Sequence, residues 1–319
     1  MVDQSGLFQL ELPDNAGHNR VDPELQAVLE WFRRERNMEA RFGSVLRQSF
    51  DEVLDGQRTG RYDVRFLEKT EKTYLGTKVE IIIRTEFELE RGGPKEMDYR
   101  ISGCPVDSKF SLTGGWTIPR EAMGHLCLLT TANDLQGTFD VGLIRVTSEI
   151  LNKGKNQDGK KTISKSGKQD IIWLCRNAAL PQNLLLDLSR NDPAGIKAIM
   201  ESPSGQQRIN ELLRRFQGQV IDRTTAITVA RQQDGMKRCR DARLHLRDAG
   251  IVLLGHQNDG PRIARELGLP RIKKGTYISV QLVQVPGPTA DRPAAAISGT
   301  YYAIAQSGDP VQSAPHIHF

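Results

Sequence analysis

The chain has 319 residues, 38% of them hydrophobic and 26% charged, the balance of an ordinary globular protein long enough for two cores. No apolar run is long enough to cross a bilayer, and the opening "MVDQSGLFQLELPDN" has neither the basic nor the apolar stretch of a secretion signal, so a cytoplasmic location with no membrane partner is expected. The net charge of +5 permits a polyanionic partner, while Cys104, Cys127, Cys175 and Cys239, scattered and without a CxxC pair, argue against a zinc ribbon or a disulfide framework.

The first element is a helix in "DPELQAVLEWF", with Asp22 as N-cap, Pro23 in the first turn and Leu25, Val28, Leu29 and Phe32 on one face. A second helix ends in "FDEVLDGQRTG", where Gly56 is the expected left-handed stop. "TEKTYLGTKVEIIIRTEFELE" predicts a helix through about residue 84. Then "EFELE", "MDYRI" and "VDSKFSL" read as an antiparallel meander turned by "RGGPKE" and "SGCP". "HLCLLTTA" and "FDVGLIRVT" are buried strand-like runs, with room for a helix between Pro119 and Leu129. Residues 152–169, "NKGKNQDGKKTISKSGKQ", read as a solvated loop or linker, and composition alone divides the chain there.

Beyond "NAALPQNLLLDL" the pattern turns helical. "QQRINELLRRFQG" carries a stripe of Ile209, Leu212, Leu213 and Phe216; Asp222 caps a short helix to about Arg231; "QQDG" turns; residues 236–248 form a longer helix; and "GIVLLGH" reads as a strand. Helix, tight turn, helix and strand is the order of a winged helix-turn-helix.

A hairpin centred between residues 102 and 103 sets Asp98 opposite Asp107, with their Cβ atoms about 5 Å apart. Two facing carboxylates repel unless a cation joins them, which a divalent ion would do. Lys109, two residues after Asp107, projects from the same face of its strand. A hard cation on oxygen ligands beside an ammonium suits phosphodiester hydrolysis. The same register also allows a plain cross-strand ion pair between Lys109 and Glu96, and spacing alone divides evenly between the two readings.

These residues resemble the PD-(D/E)xK nuclease signature. "LDGQRTG" (54–60), "KTEKTYLGTKVEI" (69–81), "DYRISGCPVDSKFS" (98–111), "NLLLDL" (183–188) and "IVLLGHQNDGPRIARELGLP" (251–270) together resemble the NaeI family of type II restriction endonucleases over nearly the whole chain. The resemblance implies an active site of Glu80, Asp98, Asp107 and Lys109, with Asp98, Asp107 and Glu80 around Mg²⁺. It implies an α/β fold, a mixed sheet flanked by helices, followed by a mainly α, winged helix-turn-helix-like DNA-binding domain. "IIWLC" then returns to the nuclease sheet, giving an endonuclease domain over 1–174, a linker over 175–183 and an effector-DNA domain over 184–319. A homodimer acting on double-stranded DNA is implied, one site cut and one acting as effector, with both strands of a GC-rich palindrome hydrolysed to 5′-phosphates. Ser108 replaces a cysteine of the family pattern and is expected to matter little, since it faces away from the metal.

Residues 53–58, "VLDGQR", also look like the K-x-D-G-x-R motif of nucleotide-dependent DNA ligases, but Val53 stands where the nucleophilic lysine would be and forms no phosphoramide. Arg58 and Arg61 are left as phosphate contacts. On the longer C-terminal helix, Lys237, Arg238, Arg240, Arg243 and Arg247 surround an apolar stripe of Met236, Cys239, Leu244 and Leu246, the make-up of a helix that enters a major groove. His18, His125, His245, His256, His316 and His318 show no ligand spacing beyond the terminal "HIH". A non-cleaving DNA-binding regulator and a strand-nicking repair enzyme of the same fold are the alternatives.

Overall fold

The computed structural model describes residues 22–93, 96–154 and 159–318. The first 21 residues, including His18 and the leader region, lie outside the described residues, as do residues 94–95 of the expected "RGGPKE" turn and 155–158 of the Lys-rich stretch.

Helix α1, Pro23–Arg34, starts where expected: Asp22 accepts from the Leu25 backbone N–H, and Val28, Leu29 and Phe32 are buried. Helix α2, Met38–Leu54, is ended by Asp55 in the left-handed region (φ 47°), not by Gly56, which instead opens the short helix α3, Gly56–Thr59. Gly56 is needed there for closeness, because a Cβ would lie 2.2 Å from Thr228 Oγ1. Helix α4, Lys69–Glu86, follows the predicted stripe of Leu75, Val79, Ile82 and Ile83.

Strand β1 is only Glu90–Arg91, β2 is Tyr99–Ile101 and β3 is Cys104–Ser111. The alternation in "EFELE" is therefore mostly not a strand: Phe87 is the C-cap of α4, Glu88 takes a positive φ of 51°, and Phe87 and Leu89 are both buried as the chain leaves the helix. Strand β4 is Thr117–Ile118, and only a single 3₁₀ turn, Arg120–Ala122, lies between Pro119 and β5, Leu126–Asn133. β6 spans Thr138–Arg145, β7 spans Lys161–Thr162 and β8 spans Ile172–Ala179. The main sheet has six strands in the order β1-β2-β3-β5-β6-β8, mixed because β3 and β5 run parallel while the other neighbours are antiparallel. One face packs on α1, α2 and α4; the other carries a smaller cluster around Trp116, Ile118, Cys127, Leu129 and Ile144. The stretch after residue 152 is partly structured, since β7 pairs with β4 and Leu151 bridges Ile163. β8 belongs to the main sheet and runs into the expected linker as far as Ala179.

Six helices follow: α5, Leu184–Asn191; α6, Pro193–Glu201; α7, Gly205–Arg215; α8, Arg223–Ala230; α9, Gly235–Leu246; and α10, Gly260–Glu266. Between and after them, β9 (Ile251–Leu254), β10 (Ile278–Val285), β11 (Ala294–Ile297) and β12 (Thr300–Ile304) form a four-stranded antiparallel sheet in the order β11-β12-β10-β9. This half is therefore mixed α and β, not mainly α. The expected stripe of α9 shifts as well: Cys239, Ala242 and Leu246 are buried, whereas Leu244 is 79% exposed. α9 packs against α7 and α8, and the small Ala242 lets the helices approach where a leucine would hold them apart.

Candidate active site

The tight turn at Ser102 and Gly103, both at positive φ, pairs Tyr99 with Val106, Arg100 with Pro105 and Ile101 with Cys104. One step outward, this register sets Asp98 opposite Asp107 on the sheet face that carries Cys127 and Leu129. The two carboxylates are close enough for Asp98 to raise the Asp107 pKa, and Asp98 Oδ2 accepts from the Ser108 backbone N–H at 2.8 Å. Lys109 Nζ lies 2.6 Å from Asp107 Oδ2 and donates to the Ser108 carbonyl at 2.9 Å. Lys109 thus pairs with Asp107; Glu96, the alternative, holds Arg100 at 2.7 Å.

Burial and the neighbouring Asp98 push the Asp107 pKa up, against the pull of Lys109. For Lys109, burial works against the charged form, but the Asp107 carboxylate outweighs it and the pKa is raised. Asp107 is 6% exposed, and its Oδ2, though close to the ammonium, meets no donor in hydrogen-bonding geometry. A buried carboxylate facing a second carboxylate across a hairpin matches what Mg²⁺ takes from a protein: one or two carboxylates, with water and phosphate filling the remaining positions. Among the described residues no three His, Cys, Asp or Glu side chains come together as a ready-made metal cage.

Glu80 stands on α4 near this edge of the sheet. Burial and Asp98 raise its pKa, while Arg84, 3.2 Å away, and Lys109 lower it. Tyr99 Oη donates to the Glu80 carbonyl at 3.0 Å and ties β2 to α4, and Ser108, two residues after Tyr99's partner Val106, shares the face of the strand opposite to Asp107. Asp98, Asp107 and Lys109 therefore gather at one place, whereas Glu80 stands apart on α4, engaged by Arg84 and reached by Asp98 and Lys109 only through their charges. Arg84 and Tyr99 are the positioning groups that motif reading misses; the spacing of Glu80 and Arg84 by four on a helix was the available signal.

The other expected contacts lie elsewhere. Arg58 is exposed on α3, 3.0 Å from Asp55, at the mouth of a cleft of about 690 Å³ between α2, α4 and α8. Arg61 is committed to Glu71 through two bonds of 2.8 Å and so fastens the start of α4. On α9, Lys237 and Arg240 are exposed, Arg238 is held by Asp234 and Asp241, and Arg243 is half-buried beside Tyr277. None of these residues reaches the acidic cluster.

Residues 26–313 match the model of the restriction endonuclease NaeI family. The type II restriction enzyme NaeI of Lentzea aerocolonigenes is 40% identical over 284 residues, which cover 86% of this chain and 88% of that protein.

Proposed function

Since the chain belongs to the NaeI restriction endonuclease family, we propose that it hydrolyses both strands of a palindromic, GC-rich duplex in a Mg²⁺-dependent reaction at Asp98, Asp107 and Lys109, leaving 5′-phosphates. The observation that carries this reading is the pair of carboxylates set opposite one another by the hairpin, Asp98 and Asp107, with the Lys109 ammonium 2.6 Å from the buried Asp107 Oδ2.

Asp98 and Asp107 would hold the ion, which supplies a Lewis acid for the phosphate oxygens and a lowered pKa for the attacking water. Lys109, kept charged by Asp107, orients that water or neutralises charge growing on the phosphorus oxygens. Water adds to phosphorus, the 3′ oxygen departs, and the 5′ side retains the phosphate. Glu80, held by Arg84 at 3.2 Å, would be a further ligand, directly or through water. On this reading the endonuclease domain runs to the end of β8 at Ala179, a few residues beyond the expected boundary at 174, the linker is what remains up to 183, and 184–319 are a winged-helix-like effector domain, in which Lys237, Arg238, Arg240 and Arg243 contact DNA; Arg58 touches phosphate. The enzyme works as a cytoplasmic homodimer with one DNA site cut and another as effector.

The direct test is Asp107→Ala, assayed with Mg²⁺ on a plasmid of known sequence, with the fragment ends sequenced. The variant is expected to bind duplex and cut nothing. Cleavage at the wild-type rate would place the chemistry elsewhere.

A further inference from the structure

The sheet face that bears Asp107 and Lys109 continues past them. β3 and β5 pair Asp107 with Cys127, Lys109 with Leu129 and Ser111 with Thr131, and β5 and β6 pair Thr131 with Asp140 and Asn133 with Thr138. Residues two apart on a strand share a face, so Ser111, Thr131, Asn133 and Asp140 extend the surface that starts at the carboxylates. Its character changes along the way. Cys127 and Leu129 are buried, Thr131 is half-buried, and Asn133 is exposed, as is Gln136 in the turn beyond.

Here lies a groove of about 350 Å³. Trp116 forms part of its lining, fixed by its indole N–H donating to the Thr130 carbonyl at 2.9 Å. One wall, the 112–115 loop, is held because Ser111 Oγ accepts from the backbone N–H groups of Thr113 and Gly115. The opposite wall is a locked amide pair: Asn133 Nδ2 donates to Gln136 Oε1 at 3.0 Å, and the Gln136 backbone N–H donates to Asn133 Oδ1 at 3.1 Å. Among the described residues, Gln136 Nε2 makes no hydrogen bond and Lys168, whose ammonium sits 5.6 Å above the Trp116 ring, has no carboxylate partner. Asp140 uses one oxygen to accept from the Asn177 backbone N–H.

We propose that this groove reads base edges beside the scissile phosphate, with Thr131, Asn133 and Gln136 as specificity-determining side chains and Lys168 on a flanking phosphate. The inference rests on the nuclease reading above and gives the nuclease half a reading surface of its own, separate from α9. Amides and hydroxyls match the donor and acceptor pattern of the major groove, and a carboxylate such as Asp140 can accept from a cytosine amino group. The reach also fits. Asn133 stands four residues beyond Leu129, the neighbour of Lys109, so it lies about 13 Å along the strand, a distance of roughly four base-pair steps. A pre-bonded, exposed amide pair costs little further ordering when a base meets it.

The test uses full-length protein, a fragment that wild type cuts in Mg²⁺, and a set of the same fragment with each base pair of the site replaced in turn. Asn133→Ala and Gln136→Ala are expected to cut the original site at least about tenfold more slowly while cutting one or two replaced sites at close to the wild-type rate, so that discrimination at those positions collapses. Lys168→Ala is expected to slow all sites alike and to reduce the salt dependence of binding by about one charge. Equal slowing of every site by Asn133→Ala and Gln136→Ala, or an unchanged spectrum, overturns the inference while leaving the nuclease reading intact. Dissociation of a dimer by these variants would make the groove a subunit contact and would also overturn it. A wild-type protein that cuts nothing, or an Asp107→Ala protein that still cuts, removes the nuclease reading itself.

Discussion

Lys109 is a half-buried ammonium whose charge is kept chiefly by one neighbour, the Asp107 carboxylate at 2.6 Å. Lys109→Ala should leave duplex affinity within a few-fold, because one phosphate contact among many is lost. The same change should cut the cleavage rate by about 10²–10⁴-fold, the usual effect of removing a group aimed at developing charge or a transferring proton. Single-turnover cleavage and a binding isotherm measured on one duplex separate the two effects. Glu80 behaves differently, since Arg84 already engages it at 3.2 Å. If it ligates the ion only after leaving Arg84, Glu80→Gln should raise the Mg²⁺ concentration needed for half-maximal cleavage and approach wild type at high Mg²⁺. A loss that no Mg²⁺ concentration repairs would instead make Glu80 a proton-transfer group.

Elements are fastened together by charges that the sequence does not advertise. Asp22 caps α1 and, from β6, Arg145 donates to it twice at 2.8 Å, holding the Asp22 carboxyl below its ordinary pKa. Asp22→Ala removes both the cap and the fork and should cost about 2 kcal/mol. Asp22→Asn keeps a good capping residue and should cost less; equal losses in urea unfolding would mean that the cap contributes nothing beyond the Arg145 fork. The cap itself was legible, as were the α4 stripe and the hairpin centre, because each rests on contacts only a few residues apart. The Arg145 partner, 123 positions away, was not. "EFELE" misled because Phe87 and Leu89 enter the core as a helix exit, which imitates strand alternation over five residues. Leu244 misled because the buried face of α9 runs through Cys239, Ala242 and Leu246 at spacings of three and four, which turns position 244, two residues from either neighbour, to the opposite side. In the candidate site, the pairing of Asp98 with Asp107 followed from the turn, whereas the engagement of Glu80 by Arg84 and Tyr99 needed the packing of α4 on β3.

At the scale of the whole molecule, the two halves meet where α3 packs on α8, and acids gather beside that junction. Arg47 of α2 pairs at 2.6 Å with buried Asp134 from the β5–β6 turn and at 3.1 Å with Asp51, while Asn183, the N-cap of α5, donates to Asp134 at 2.9 Å. Burial pushes Asp51 up to about 6, with Asp222 and Asp134 adding to the rise and Arg47 opposing it. A carboxyl whose folded pKa stands above its unfolded value stabilises the fold when protonated. Here that contribution is complete below the ordinary value of 3.8 and is lost as pH rises through about 6. Asp51→Asn supplies a neutral side chain at every pH and leaves Arg47 its partner in Asp134. The variant should therefore gain on wild type between pH 4 and pH 6 and hold a constant advantage of about 1–2 kcal/mol above that, a few degrees in Tm. Melting curves of both proteins taken at unit pH intervals from 4 to 8 check this. An advantage that is the same at pH 4 and pH 8 would show that Asp51 ionises freely, and the buried charge at the junction would then be that of Asp134 and Arg47 alone.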